Sequence, residues 1–430
     1  MTPSDEQRDD EPTTPPARPA GRLGRLPLIG RVAANPALRN ADFRRLWMSS
    51  ACSAIGWSGE WVIFGLLVFQ ATGSTAWVGA TMAVHALPML VFGILSGTIA
   101  DWLDRRTLLR ALEFALAVTF VLFAALIALD AAGLWLIMAF ALILGSLGAL
   151  SHPARVSYAY DIVGGAHVVS GLGLLNLGTR VGQLVGAVAA GAAMQRLGTP
   201  AAVLVLAVAH GAAFAWLMRL RSAGDSAPTE RVSLGQNLRE YFAELRGNRT
   251  LLMLVVITSA VEVFGFSVST ALPELATTRF GVGPEGLGLM HAASAVGGIL
   301  ASLVLAGAGG LERRGAVFLA VIYAFGGSLI LLAAAGQFTL ALAVMVIVAA
   351  LATASDVLTQ SMMQLSVPNR LRGRAMGSWV LAVGSSPLGH LEMGALAVSL
   401  GVGGALVVNG GALIGVAILA TLVAPRLRKL

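Results

Sequence analysis

The chain has 430 residues, of which 57% are hydrophobic and only 12% charged, with a formal net charge of +7. Soluble domains carry roughly 25% charged residues, so this composition excludes an ordinary soluble enzyme or nucleic-acid-binding domain and indicates an integral membrane protein. One cysteine, Cys52, excludes a disulfide framework and a cysteine-based metal cluster.

Residues 1–42 are polar and proline-rich, with Asp5, Glu6, Asp9, Asp10 and Glu11 ahead of Pro15, Pro16 and Pro19 and of Arg18, Arg22, Arg25 and Arg31. They contain no apolar segment of the signal-peptide type, and the expectation is a disordered cytoplasmic tail. Beyond the tail come apolar runs at about 46–70, 76–99, 107–129, 134–154, 168–195 and 199–219. A second set follows at about 250–277, 285–307, 316–335, 338–365, 374–399 and 403–424. Each is near the ~20 residues of helix that cross a bilayer core of ~30 Å. The runs are continuously apolar, which disfavours a β-barrel, and many of the 51 glycines fall inside them, as close helix packing in lipid requires.

Charge is confined to the connections. The loop after the second run, Gly97 to Arg110, holds Asp101, Asp104, Arg105, Arg106 and Arg110. The segment 221–249 between the sixth and seventh runs opens with linker residues (Ser222, Gly224, Asp225, Pro228). It continues with Leu234, Leu238, Phe242 and Leu245 at helical spacing among charges, which predicts an amphipathic surface helix. All but three of the 29 basic residues, Arg180, Arg196 and Arg279, fall in the tail, the C-terminus or the loops of a single side. The positive-inside rule makes that side cytoplasmic and places both termini there. Val91–Arg106 has a weak echo in Val296–Arg314, each closing the second run of its half. The predicted organisation is therefore an all-α integral membrane protein of twelve transmembrane helices in two six-helix pseudo-repeats, 43–220 and 250–424, ahead of a short C-terminus, 425–430.

Four runs carry buried charge: Glu60 in span 1, Arg180 in span 5, Glu262 in span 7 and Asp356 in span 10. A charge at the bilayer centre costs about 2.5–3.5 kcal/mol on insertion scales, so each is a candidate functional group. Asn176, Arg180 and Gln183 share one helix face, predicted to look into a central cavity lined in part by Trp57, Trp61 and Phe64. One of Glu60, Glu262 and Asp356 is the expected proton-coupling acid. His85, His210, His291 and His390 are dispersed single residues without metal-ligand spacing, and packing or hydrogen-bonding roles are expected for them rather than a proton relay. No Walker loop, nucleophile elbow or histidine box is present, so neither catalysis nor a metal or other cofactor is expected.

The loop motif Gly97-x-x-x-Asp101, with Arg105 and Arg106, resembles the loop between the second and third helices of major facilitator transporters. Trp102 and Asp104 replace a basic residue and a glycine of that signature. Phe43-Arg-Arg-Leu-Trp47 at the start of span 1, Pro153-Ala-Arg155 closing span 4, and Gln364 through Gly377 in the span 10–11 loop resemble the branch containing the enterobactin exporter and macrolide-efflux proteins. Span 5 keeps Gly173, Gly178, Gly182 and Gly186 but lacks the proline of the efflux signature, leaving the direction of transport open. The resemblance implies a monomeric secondary transporter in the inner membrane. It implies proton-coupled efflux of a small amphiphilic molecule such as a siderophore, macrolide or other drug-like compound. A lipid or lysolipid flippase, and a transport-inactive scaffold or sensor, are the alternatives. It also makes Gly97, Asp101, Arg105, Arg106, Asp161, Arg372 and Arg374 the expected cytoplasmic gate, Asp101 meeting the start of span 11 and Arg105 or Arg106 pairing with Asp161.

Overall fold

The computed structural model describes residues 36–102, 104–164, 168–222, 247–307, 313–367 and 372–423, apart from the side chains at 36, 91–102, 168–169 and 372–376. The predicted tail and most of the predicted amphipathic linker lie outside the described residues. What is described is helical throughout, with no strand among these residues. In the first half the helices are α1 (Ala41–Thr72), α2 (Thr75–Trp102), α3 (Arg105–Ala128), α4 (Leu134–Val163), α5 (Val168–Leu197) and α6 (Thr199–Met218). In the second half they are α7 (Arg249–Arg279), α8 (Gly283–Gly307), α9 (Arg314–Ala334), α10 (Phe338–Leu365), α11 (Arg372–Val383) and α12 (Ser386–Val423).

Helix ends follow local chemistry. Asn40 caps α1 by accepting from the Asp42 and Phe43 amides, Asp104 caps α3 through the Thr107 amide, and Asn248 caps α7 through the Leu251 amide. Gly73 closes α1 at φ 62, a left-handed conformation that glycine adopts without strain. α7 is interrupted by two stretches of wider, π-type winding, Glu262–Phe266 and Leu275–Arg279, on either side of Pro273.

α12 is a hairpin. Gly401, at φ 72 and ψ 162, separates an arm at 386–400 from one at 402–423. In a straight helix Glu392 and Asn409 would stand about 25 Å apart at 1.5 Å per residue, yet the Asn409 amide donates to the Glu392 carboxylate at 3.2 Å. The 386–400 arm therefore completes the traverse that α11 begins. Nine segments are by themselves long and apolar enough to cross a bilayer among the described residues, the last being Gly377–Val423. Dividing that segment at Gly401 and adding α2 and α5 gives twelve helical segments among the described residues, in keeping with the expected organisation.

One expected boundary moves. Pro153-Ala-Arg155 does not close span 4, because α4 runs through it to Val163. The extra turns are held by tertiary partners: Arg155 is buried against Glu113, the Tyr158 hydroxyl donates to the Ser222 carbonyl at 2.7 Å, and Asp161 is salt-bridged to Arg105. These contacts offset the hydrogen bond that an interior proline removes.

The two sets of six helices pack along a seam formed mainly by α5 against α8 and α2 against α12. Below, the end carrying Asn40, Ser222 and Ser366 is the tail face and the opposite end is the far face. Small residues make the close approaches. Gly182 and Gly186 of α5 lie against the Ala51 and Ile55 carbonyls of α1, and Gly191 faces Gly288 across the seam.

Candidate functional site

The first set of charges lies inside the amino-terminal bundle. Glu60 of α1 has histidines on both sides. His85 of α2 reaches its carboxylate at 2.9 Å, and His210 Nε2 of α6 lies 4.0 Å from the other oxygen. His210 Nδ1 in turn lies 2.8 Å from Glu113 of α3. Glu113 also accepts from Ser53 at 2.9 Å and from Arg155 of α4. Arg155 further donates to Ser49, Ser50 and Ser151 at 3.1, 3.3 and 3.3 Å. Five titratable side chains from five helices thus form one chain, His85–Glu60–His210–Glu113–Arg155. Side-chain exposure is 11% at His85, 4% at Glu60, 2% at His210 and 0% at Glu113, so the end nearest the surface is His85.

Local sequence makes room for this chain. Gly56 is one turn before Glu60 on α1, and a Cβ there would collide with the His210 ring. Phe120, two turns along α3 from Glu113, stacks on His210 with ring centroids 5.3 Å apart. His85 faces the seam, where Trp61 lies with its ring centroid 5.6 Å from His85 and 5.7 Å from His390. His390 belongs to the second half and pairs with the Thr270 hydroxyl at 2.8 Å.

The second set straddles the seam. Arg180 of α5 donates to Gln183 at 3.3 Å, and its guanidinium lies against Gly298 of α8, where a Cβ would come within 3.1 Å of it. Thr353 of α10 borders the same spot. No carboxylate lies within ion-pair distance of Arg180 among the described residues. Asp356 is close enough to act on it electrostatically, but its oxygens are taken by Gln360 at 3.1 Å and by Trp379 of α11 at 2.7 Å. Glu262 is buried in the π-wound stretch of α7, within electrostatic reach of Asp356. Asn176, one turn toward the tail face from Arg180, is exposed.

The seam is packed at the far face. Thr75 hydrogen-bonds Glu274, Arg196 lies 3.5 Å from Glu285, Gln195 abuts Gly283, and Ala76 abuts Gly394. Nearer the middle, Gly79 meets the His390 carbonyl and Leu90 meets Gly384. Every cross-half contact named here lies between the far face and the level of Arg180 and Leu90.

At the tail face Arg105 forks onto both Asp161 oxygens at 2.7 Å, and Arg106 donates to the Arg221 carbonyl at 3.1 Å. Arg110 caps the end of α6 through the Leu217, Met218 and Leu220 carbonyls. Asp42 accepts from the Arg221 and Ser222 amides at 3.2 and 2.7 Å. Of the expected gate, Arg105, Arg106 and Asp161 are therefore tied within the first half. Asp161 sits in the last turn of α4 rather than beyond it. The side chains of Asp101, Arg372 and Arg374, and the surroundings of Gly97, lie outside the described residues.

Of the expected coupling and substrate groups, Arg180, Gln183 and Asp356 come together, with Glu262 nearby, whereas Glu60 belongs to the separate chain. Sequence reasoning missed Glu113 as an intramembrane acid, although it stands in an apolar run as the other four charges do. Packing or hydrogen-bonding roles were expected for His85 and His210, and both face carboxylates. A hydrocarbon-lined groove of 530 Å³ between α9 and α12 (Ile330, Ala333, Leu400, Val407) touches neither set of charges.

Known proteins share this framework. The nucleoside transporter NupG superposes with a TM-score of 0.75 at 14% identity, covering 89% of this chain and 98% of its own. A POT family transporter crystallised with a thioalcohol-conjugated peptide gives 0.74 at 14%, covering 90% and 96%. A bacterial homologue of the human lysosomal transporter Spinster, solved inward-facing and unoccupied, gives 0.66 at 14%, covering 91% and 96%. No curated protein matches by sequence. At such identities these structures speak for the fold alone. Residues 46–377 match the sequence profile of the Major Facilitator Superfamily, and with two six-helix sets joined along a seam that carries the buried charges, the chain belongs to that superfamily of membrane transporters.

Proposed function

We propose that the protein is a secondary active exporter that exchanges protons for a small amphiphilic molecule, a siderophore, macrolide or other drug-like compound, by alternating access at the seam. The carrying observation is Arg180: a largely buried guanidinium reaches from one half toward the other with no carboxylate in ion-pair distance among the described residues. Burying such a charge is costly unless it meets a partner. A substrate with an anionic or strongly accepting group fits that place, while Trp57, Trp61 and the apolar wall take its hydrocarbon part. Gln183, Asp356 and Glu262 border the same volume, and Glu60, Glu262 or Asp356 supplies the acid that carries the proton.

The positive-inside rule makes the tail face cytoplasmic, with both termini inside the cell membrane. Packing at the far face together with exposed Asn176 supports an inward-facing state. Asp101 at the end of α2, against the start of α11 at Arg372–Arg374, then serves as the latch that closes the cytoplasmic side, attracted to the helix N-terminus. Arg105 with Asp161 and Arg106 holds the loop rigid. Relatives of this fold are named as transporters of nucleosides and peptides, chemically different cargoes, so the likeness does not choose the substrate.

The test is a deletion strain and an overexpressing strain screened against a panel of toxic amphiphiles, with endogenous metabolites measured in the medium. The reading expects hypersensitivity on deletion, resistance on overexpression, and loss of both when a protonophore collapses the gradient. Unchanged sensitivity and unchanged medium in both strains would contradict it. Stimulated lipid or lysolipid translocation in vesicles, with no effect on soluble compounds, would instead favour a flippase.

A further inference from the structure

The chain His85–Glu60–His210–Glu113–Arg155 does not balance its charge. Two carboxylates and one guanidinium leave one uncompensated negative charge when both imidazoles are neutral, in a core where Glu60, His210, Glu113 and Arg155 are all buried. Isolated buried charge is expensive, and the cluster balances once a single proton is added. The geometry says where that proton goes. His210 stands between Glu113 at 2.8 Å and Glu60 at 4.0 Å, and its Nε2 is buried without a hydrogen-bond partner. Glu60 stands between His210 and His85. The proton therefore has adjacent hosts in His210, Glu60 and His85.

We propose that the amino-terminal bundle holds one exchangeable proton on the His85–Glu60–His210 triad, with Glu113–Arg155 as its fixed counter-pair, and that the proton enters and leaves through His85 at the seam. His85 is the most exposed member and lies next to Trp61 and His390, where the two halves meet. Rocking of the halves changes what covers His85 while leaving the inner members within one rigid bundle. The inference rests on the proton-exchange reading above and assigns the proton to this triad rather than to Glu262 or Asp356.

The other groups facing the triad are few. α1 adds Ser53 and Cys52, α4 adds His152 beside Arg155, and α5 presents glycine and alanine (Gly182, Gly186, Ala190). The second half brings His390 from α12. The nearest charged groups that α7 and α8 bring to this bundle lie at the far face, Glu274 bound to Thr75 and Glu285 near Arg196. None of these is within ion-pair distance of Glu60 among the described residues, so the accounting closes on the five members.

The experiment is nitrogen-15 NMR of imidazole-labelled full-length protein in lipid nanodiscs, titrated between about pH 5 and 9, with assignments from single His→Gln variants. The expected result is one proton shared by His85 and His210, lost in a single step. In Glu60→Gln that step moves to lower pH by about one unit or more, because removing the negative charge balances the cluster with both rings neutral. In His210→Gln the charge resides on His85. If Glu60→Gln does not fold, the wild-type titration decides. Both rings charged through neutral pH, a Glu60→Gln step at the wild-type position, or both rings neutral across the range with the Glu60 carboxylate ionised throughout, as read by carbon-13 in the same sample, would overturn the proposal. Transport is not read, so a panel that finds no substrate and a titration that finds no shared proton fail separately.

Discussion

Arg180 and Glu113 show two ways of burying a charge. Glu113 is fully enclosed and meets Arg155, His210 and Ser53. Glu113→Gln is expected to destabilise the protein by about 3–5 kcal/mol, because it leaves Arg155 buried without its directly paired carboxylate. Glu113→Gln with Arg155→Met should recover most of that loss, which thermal unfolding in detergent would read; equal losses in the single and double variants would contradict the pairing. Arg180 has no such partner among the described residues, so Arg180→Gln should leave folding nearly unchanged while lowering export at least about tenfold, the loss of one charge-assisted contact of about 1.4 kcal/mol. Export from vesicles, beside the amount of inserted protein, checks it. Glu60, Arg180, Glu262 and Asp356 were legible in the sequence because a charge in an apolar run is conspicuous by itself. His85 and His210 were not, since their meaning depends on Glu60, which is 25 residues from the one and 150 from the other, and only packing of α1, α2 and α6 brings the three together.

The helices were legible where composition sets them and misread where partners do. Spans 1, 6, 8, 9 and 10 lie close to their predicted ranges because length and hydropathy determine them. α4 outruns its prediction because Arg155, Tyr158 and Asp161, polar residues that read as the end of a span, are covered by α3, by the loop after α6 and by Arg105. The break expected between spans 11 and 12, after residue 399, falls at Gly401, where the helix is bent back on itself. Its φ of 72 and ψ of 162 belong to a region occupied almost only by glycine. Gly401→Ala should cost about 1–3 kcal/mol and lower the unfolding temperature, whereas alanine at the exposed helical Gly411 should not. An unfolding temperature unchanged by Gly401→Ala would contradict a strained hairpin there.

At the scale of the molecule, stability and function are divided between bundle and seam. Each bundle is closed by glycine-mediated contacts, the first also by buried ion pairs, and the seam by short bridges such as Thr75–Glu274 and Arg196–Glu285 that can part without unpacking either half. The central claim is that the halves exchange the open end. Pulsed electron resonance on spin-label pairs in proteoliposomes tests it, with Cys52 replaced, one pair at the far face (Asp130→Cys with Gln337→Cys) and one at the tail face (Gly164→Cys with Arg313→Cys). A shift in pH, or Asp101→Asn at constant pH, is predicted to move the two distance distributions in opposite senses, Asp101→Asn toward the state open at the tail face. Distributions that stay fixed at both faces, or that widen together, would contradict alternating access.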